Sequence, residues 1–316
     1  MNSIRELSIE NRKLIKRINK TKLPKDISYF SERLKFFNNR NEFLWKWSYS
    51  LMSCEDFIFS SVEKKYFALL AKTKTLLIMF ITLLDDTADK FKDKKMLDKL
   101  SKIPFENDIK NSDSYINLVF DIWKNIYEKI SRLQRFKEFK EMFMFDLMLL
   151  INAFYYSILI NKQSQMLNVL ENKIYSSHNM GMFLYADIDL MASPSFNKKE
   201  LGAMRTIIWH AQQMARIGNW VSTWKRELNE NDISSGVIAY ALKKRIITLS
   251  DLNRDRNEII KKIENSDMKD YFLNEWKRHY HNIQNLGIKV KSIDIKRYLK
   301  GLEMVLKYHL ASEGLK

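Results

Sequence analysis

The sequence predicts an all-α fold in one large domain, and three observations carry that prediction. Turn formers are scarce, with seven Gly and three Pro (Pro24, Pro104, Pro194) in 316 residues, far below average usage. Leu, Ile, Lys and Glu abound instead, which suits long helices joined by short links. No stretch alternates apolar and polar residues between hairpin signals, so no sheet is expected. At 46% hydrophobic the chain can bury a large core, and no Pro/Gly/Ser-rich linker or internal repeat divides it.

Residues 1–35 read as a charged N-terminal segment expected to be partly mobile, with the helical domain over 36–316. Apolar periodicity predicts helices over about 41–60, 62–86, 115–130, 136–160, 165–192, 198–228, 233–246, 251–263, 267–285 and 292–312. Asn197 before Lys198-Lys199-Glu200, and Ser250 before Asp251, are expected N-caps. Asn111 to Ser114 separates two helical patterns, and Glu230-Asn231-Asp232 is expected to close the 198–228 helix. The apolar run 142–160 approaches the length of a membrane span. Asp146 and Asn152 interrupt it and no second convincing span accompanies it, so a central core helix and no transmembrane segment are expected.

The net charge of +16 raises the question of nucleic acid. The basic residues are scattered among acids, as in Lys90-Phe91-Lys92-Asp93-Lys94-Lys95, and no nucleic-acid module accompanies them. A solvated basic surface is the better reading, and it would help draw in an anionic ligand. The lone Cys54 allows no internal disulfide, and the charged N-terminus lacks a signal-peptide core; both point to a reducing cytoplasm.

Two constellations carry chemistry. The apolar run 75–84 ends in Asp85-Asp86-Thr87-Ala88-Asp89. On one helix Asp85 and Asp89 share a face, with Asp86 about 100° round. Acids at a helix C-terminus repel one another and oppose the macrodipole, a balance that hard divalent cations such as Mg²⁺ reverse. About 130 residues on, Asn219, Thr223 and Glu227 stand at i, i+4 and i+8, which lines an amide, a hydroxyl and a carboxylate along one face. Such a weakly charged set suits a Mg²⁺ that keeps water and shares a phosphate. Gly218 costs about 1 kcal/mol of helix stability against Ala, which is easier to understand if something approaches the backbone closely there.

In these residues the chain resembles the class I terpene synthases, microbial type, whose signatures are Asp-Asp-x-x-Asp and a downstream Asn-x-x-x-Ser/Thr-x-x-x-Glu. Both stand intact, Arg226 fills the basic place before the glutamate, and Arg297-Tyr298 falls where an Arg-Tyr pair of the last helix is expected. The resemblance covers about residues 45–310. It departs where many members carry a diphosphate-sensing arginine, 40 to 46 residues before the Asn motif. Here Tyr175-Ser176-Ser177-His178-Asn179-Met180-Gly181-Met182 keeps a glycine break without an arginine, and His178 is a weak stand-in.

The resemblance implies a helical bundle around a central apolar cavity and a prenyl diphosphate substrate. It also implies three Mg²⁺ ions (with Mn²⁺ as a substitute) held by Asp85, Asp89, Asn219, Thr223 and Glu227. Arg226, Arg297 and Tyr298 would be the catalytic donors to diphosphate, with Asp86 behind the metal ligands. Helical spacing from the motifs would place Leu77, Ile78, Ile81, Ile208, Gln212 and Ala215 against the substrate, and Phe183 near the glycine break would face the cation. Trp209, Trp220 and Trp224 read as core. Arg216 stands equally well as a diphosphate contact or a surface ion pair. A loose likeness of the 180–219 region to bacterial diterpene synthases favours the C20 substrate over C15. A homodimer is one assembly open to such a chain.

Chain-elongating prenyltransferases share the first motif but normally carry a second aspartate-rich motif where Asn219, Thr223 and Glu227 stand, so elongation is the weaker alternative. Proton-initiated cyclisation would need Asp-x-Asp-Asp, and Asp187-Ile188-Asp189-Leu190 lacks the final acid. A non-enzymatic helical binding module is the third reading, since short motifs recur by chance.

Overall fold

A computed structural model describes residues 4–37, 40–106 and 113–315, which carry fourteen α-helices and no strand. The helices are α1 (Ile4–Asn19), α2 (Lys25–Leu34), α3 (Glu42–Met52), α4 (Phe67–Asp85), α5 (Lys94–Leu100), α6 (Ser114–Ile130) and α7 (Phe136–Lys162). They continue with α8 (Val169–Tyr175), α9 (Met182–Met191), α10 (Leu201–Asn229), α11 (Gly236–Lys243), α12 (Arg256–Glu264), α13 (Met268–Leu286) and α14 (Ile295–Ala311).

Burial explains the arrangement. α4 is apolar on nearly every side and runs through the core, flanked by α3, α6, α7 and α9, as a helix without a polar face must. α10 is the second long axis and packs on α9, α13 and α14. α7 and the stretch around α4 are both apolar enough to span a bilayer, yet 61% and 67% of their most apolar windows is buried inside the fold. Asp146, which interrupts the α7 run, is buried and takes a fork from Arg205 at 2.7 and 2.8 Å. Within the charged N-terminal segment, α1 and α2 place Ile18, Ile27, Phe30 and Leu34 in the core.

Several boundaries differ from expectation. The predicted 41–60 helix stops at Met52, followed by a 3₁₀ turn at Glu55–Phe57. The predicted 165–192 helix is two, α8 and α9, separated by a 3₁₀ segment Ser176–Met180 and by Gly181 at φ 64°. A Cβ at Gly181 would lie 2.8 Å from Ile81 Cδ1, so conformation and close approach both demand glycine. α5 was hidden by its charge: Asp93 caps it through Met96 N–H within the lysine-rich run. Asn197 caps as expected, but Ser250 makes no side-chain cap; Asp255 caps α12 instead. Glu230 and Asn231 (φ 60°) end α10 as expected. Of the break at 111–114, Asn111 and Ser112 lie outside the described residues, while Asp113 caps α6 through Tyr115 and Ile116 N–H.

Candidate active site

The Asp-rich step sits where α4 changes its winding. After Asp85 the chain enters a π turn, Asp86–Lys90, with Phe91 N–H donating to Asp86 carbonyl at 2.9 Å. Such i→i+5 turns inside α-helices are frequent at functional sites. Tyr115 hydroxyl donates to Leu83 carbonyl at 3.0 Å, and Thr87 to the same oxygen at 2.8 Å, holding the transition. The second motif keeps ordinary α geometry in the last turns of α10, so its spacing works as expected.

α7 ties the two together. Ser157 on α7 donates to Asp89, and Asn161 one turn further donates to Asp232 at 2.9 Å. Lys92 Nζ, just past the π turn, donates to Asn231 carbonyl at 3.0 Å, at the end of α10. Thus both motif ends converge on one cavity, lined by Asp85, Asp86 and Asp89 on one wall and Asn219, Thr223, Arg226 and Glu227 on the other. Its apolar wall is Ile78, Ile81 and Ala215 with Leu44, Trp47, Leu51, Met52, Phe57, Met182, Tyr185 and Val305.

The acids here outnumber the guanidinium groups that meet them. Burial and then the neighbouring Asp86 raise Asp85 to about 6, against the pull of Arg40 and Arg216. Burial, Asp232 and Asp85 push Asp89 well above the usual carboxylate range, and burial with Asp232 raises Glu227. Asp86 is buried and takes a fork from Arg40 at 2.5 and 3.3 Å. It was expected behind the metal ligands; it backs them through Arg40 but also lines the cavity.

In the second motif Arg216 Nη1 donates to Asn219 Oδ1 at 2.8 Å. Thr223 hydroxyl lies 2.7 Å from Glu227 Oε1 and 2.8 Å from Asn219 carbonyl, with one proton for both. Glu227 Oε2 is buried with no hydrogen-bond partner among the described residues, an oxygen free to coordinate a cation. Among the described residues no three carboxylate or imidazole groups converge tightly enough to chelate one ion alone.

Other expected residues are elsewhere. Arg297 and Tyr298 open α14 two to three turns before Val305 and His309, the α14 residues that reach the cavity. Arg297 donates to Glu55 and Ile58 carbonyls at 3.1 and 2.7 Å, and Tyr298 is buried between Phe57 and Phe59. Phe183 turns away from the cavity: it stacks on His178, and the cation over its ring is Arg205 at 4.7 Å. α9 begins anew after Gly181, so Met182 and Tyr185, three apart, take the cavity face and Phe183 rotates off it. Leu77 and Ile208 are core, and Gln212 is buried beside His178 at 3.3 Å. Trp220 and Trp224 are core as expected, and Trp209 packs on His178. His178, the stand-in for the missing arginine, and Lys173, the nearest lysine before the glycine break, both lie off the cavity lining; Lys173 pairs with Glu275 at 2.5 Å. The backbone approach that Gly218 permits comes from α14: an added Cβ would stand 3.3 Å from His309 Cδ2.

Sequence reasoning missed Arg40, Asp232, Trp47, Phe57, Tyr185 and His309. Arg40 sits in a link with no periodicity, and Asp232 read only as a helix stop.

No family model and no curated protein matches the chain. Solved structures do. Linalool/nerolidol synthase from Streptomyces clavuligerus is 9% identical at TM-score 0.55, covering 93% of this chain and 98% of that one. The same enzyme in complex with 2-fluorogeranyl diphosphate is 9% identical at TM-score 0.51, covering 97% and 96%. α-Eudesmol synthase is 11% identical at TM-score 0.53, covering 93% and 97%. Nearly end-to-end likeness at such low identity establishes that this chain has the class I terpene synthase fold.

Proposed function

We propose that the chain is a class I terpene synthase, which ionises a linear prenyl diphosphate and closes the resulting carbocation into a terpene hydrocarbon or alcohol with release of diphosphate. One observation carries the reading: two oxygen-rich motifs about 130 residues apart, at the ends of α4 and α10, line one cavity together with a set of apolar and aromatic side chains. A prenyl diphosphate has the matching halves, a hydrocarbon tail and an anionic head.

The donor set is all oxygen and carries more acid than its neighbouring bases offset, which fits Mg²⁺, with Mn²⁺ in its place. Asp85 and Asp89 on one wall and Asn219, Thr223 and Glu227 on the other would hold the ions, three by family resemblance. When bound, such ions supply Lewis-acid stabilisation of the departing diphosphate. The chain's own residues do the rest. Arg226 lines the cavity and donates to Glu230 at 2.7 Å, from where it reaches diphosphate oxygens by charge-assisted hydrogen bonds. Arg40 holds Asp86 so that its charge adds to the field without taking a ligand place. Trp47, Phe57 and Tyr185 offer π faces to the cation, and the aliphatic wall excludes water. Arg297 and Tyr298 have no part in this scheme, since Phe57 stands between Tyr298 and the cavity. The lone Cys54 suits work in the cytoplasm.

The C20 substrate is favoured and C15 follows; a structural neighbour was solved with the C10 analogue 2-fluorogeranyl diphosphate, so C10 belongs in the panel too. Incubating pure protein with C10, C15, C20 and C25 diphosphates and Mg²⁺, then analysing extracted hydrocarbons and alcohols, tests the reading. Cyclic products are expected with at least one, and no turnover with any refutes the assignment.

A further inference from the structure

The Asp-x-Asp step of α9 takes no part in the cavity, and its two acids are treated differently. Asp189 pairs with Lys74 at 2.7 Å. Asp187 is 0% exposed, yet neither of its oxygens receives a hydrogen-bond donor among the described residues. A carboxylate left ionised in such a place is strongly unfavourable. The polar side chain that meets it is a second acid, Asp146 of α7. Both Asp146 oxygens already accept the fork of Arg205, at 2.7 and 2.8 Å. Two buried carboxyl groups therefore stand at one guanidinium, and like charges so placed do not both ionise.

The neighbours decide which acid carries the proton. Of the helices packed on α9, α7 brings Asp146, α10 brings Arg205, and α4 brings Lys74, which is committed to Asp189. Arg205 lies 4.7 Å from the ring centre of Phe183, one turn before Asp187 on the same face of α9. His178, in the 3₁₀ segment before α9, stacks on that ring, and burial holds it below the usual imidazole value, so it brings no charge at neutral pH. The Arg205 fork fixes Asp146 as the acceptor, which leaves Asp187 as the acid with an O–H to give. Burial and then Asp146 push Asp187 well above the usual carboxylate range, in agreement with that geometry.

We propose that Asp187 keeps its proton in the folded protein and donates it to Asp146, so that one proton and one guanidinium tie α7, α9 and α10 together behind the face of α9 that carries Met182 and Tyr185 to the cavity. The joint does not depend on what the cavity binds. An unfolded chain releases this proton near pH 4 and the folded one retains it. The contribution of the joint is therefore complete below about pH 4 and is lost as pH rises toward the folded value.

Asp187→Asn keeps a donor for Asp146 and cannot ionise, so it separates the proton from the packing. The thermal midpoint of Asp187→Asn minus that of wild type should rise by several degrees between pH 4 and pH 7, since the other acids titrate alike in both proteins. A residue that acted by packing alone would shift the midpoint equally at every pH, and a constant difference overturns the proposal. Infrared spectroscopy in D₂O at pH 7 reads the proton itself. Wild type minus Asp187→Asn should show the carbonyl band of a protonated carboxylic acid; the paired bands of a carboxylate in its place overturn the proposal. If Asp187→Asn does not fold, Asp187→Ser, a smaller donor that also cannot ionise, replaces it in both measurements with the same outcomes.

Discussion

Phe57 separates two buried clusters of ionisable groups that are solved in opposite ways. Behind it, Lys74 and Asp189 form an ion pair at 2.7 Å, 0% and 1% exposed, and Asp189 also accepts Phe59 N–H at 3.2 Å. One cation meets one anion and the backbone adds a donor, so the charges pair one to one within the protein, although burial still lowers Lys74 and raises Asp189. In front, Asp85, Asp86, Asp89, Glu227 and Asp232 gather at one cavity around guanidinium groups partly committed elsewhere. Burial raises the first and third of these acids and Glu227 together. Both clusters are costly to bury. The inner one pairs its charges one to one, whereas the outer gathers more carboxylates than guanidinium groups, which is what makes it the candidate site.

The largest way to break that contrast is to remove a ligand. Asp85→Ala and Glu227→Ala should each lower turnover at least a thousandfold, about 4 kcal/mol of transition-state stabilisation, with helical circular dichroism near wild type. Retained activity in either would take that residue out of the site. In the inner cluster the same kind of truncation should cost stability. Lys74→Met strands a buried carboxylate and should destabilise by about 3–5 kcal/mol, read by urea denaturation. Adding Asp189→Leu should recover most of it; a double variant as unstable as the single would show that the pair is not self-contained.

A smaller effect sharpens the comparison through pH. The folded protein holds the Asp85 proton up to about 6, above the free carboxylate value, so stability without metal falls as pH rises from about 4 to 6. Asp85→Asn removes that loss. Its thermal midpoint should match wild type below pH 4 and exceed it by a few degrees above pH 7, while turnover disappears. An equal midpoint at both ends would deny the electrostatic strain. The smallest effect lies outside both clusters, where His210 and His279 join α10 to α13 through their Nδ1 atoms at 2.8 Å. Burial, then Arg278 and His210, lower His279 to about 3. The unfolded chain therefore takes up that proton near pH 6.5 and the folded one does not, so stability is lost as pH falls from about 6.5 toward 3. His279→Gln should flatten the acid side of the stability curve, and an unchanged slope would assign it to other groups.

Local patterns made much of this legible. Ordinary α geometry in α10 carried Asn219, Thr223 and Glu227 to one face as their spacing foretold, and Ile78, Ile81 and Ala215 reached the cavity by the same counting. Counting failed wherever the helix stopped being regular. Gly181 restarted α9 with Phe183 turned aside, and the lining took in Asp86 as well as Asp85 where α4 passes into the π turn. It failed again where a motif was short: Arg297 and Tyr298 stand in the last helix, but its first turns miss the cavity.

By itself, then, the sequence determined that this protein is built of helices, where two oxygen-bearing faces lie on them, and how apolar the helices between must be. Those properties follow from spacing and side-chain chemistry within a few turns of chain. Only the tertiary structure decided that Ser157 and Asn161 of α7 hold the ends together, that Arg40 attends Asp86, and that Arg216 is left buried beside Asn219. Such pairings join residues far apart in sequence, and their energies depend on packing and dielectric that exist only once the helices meet.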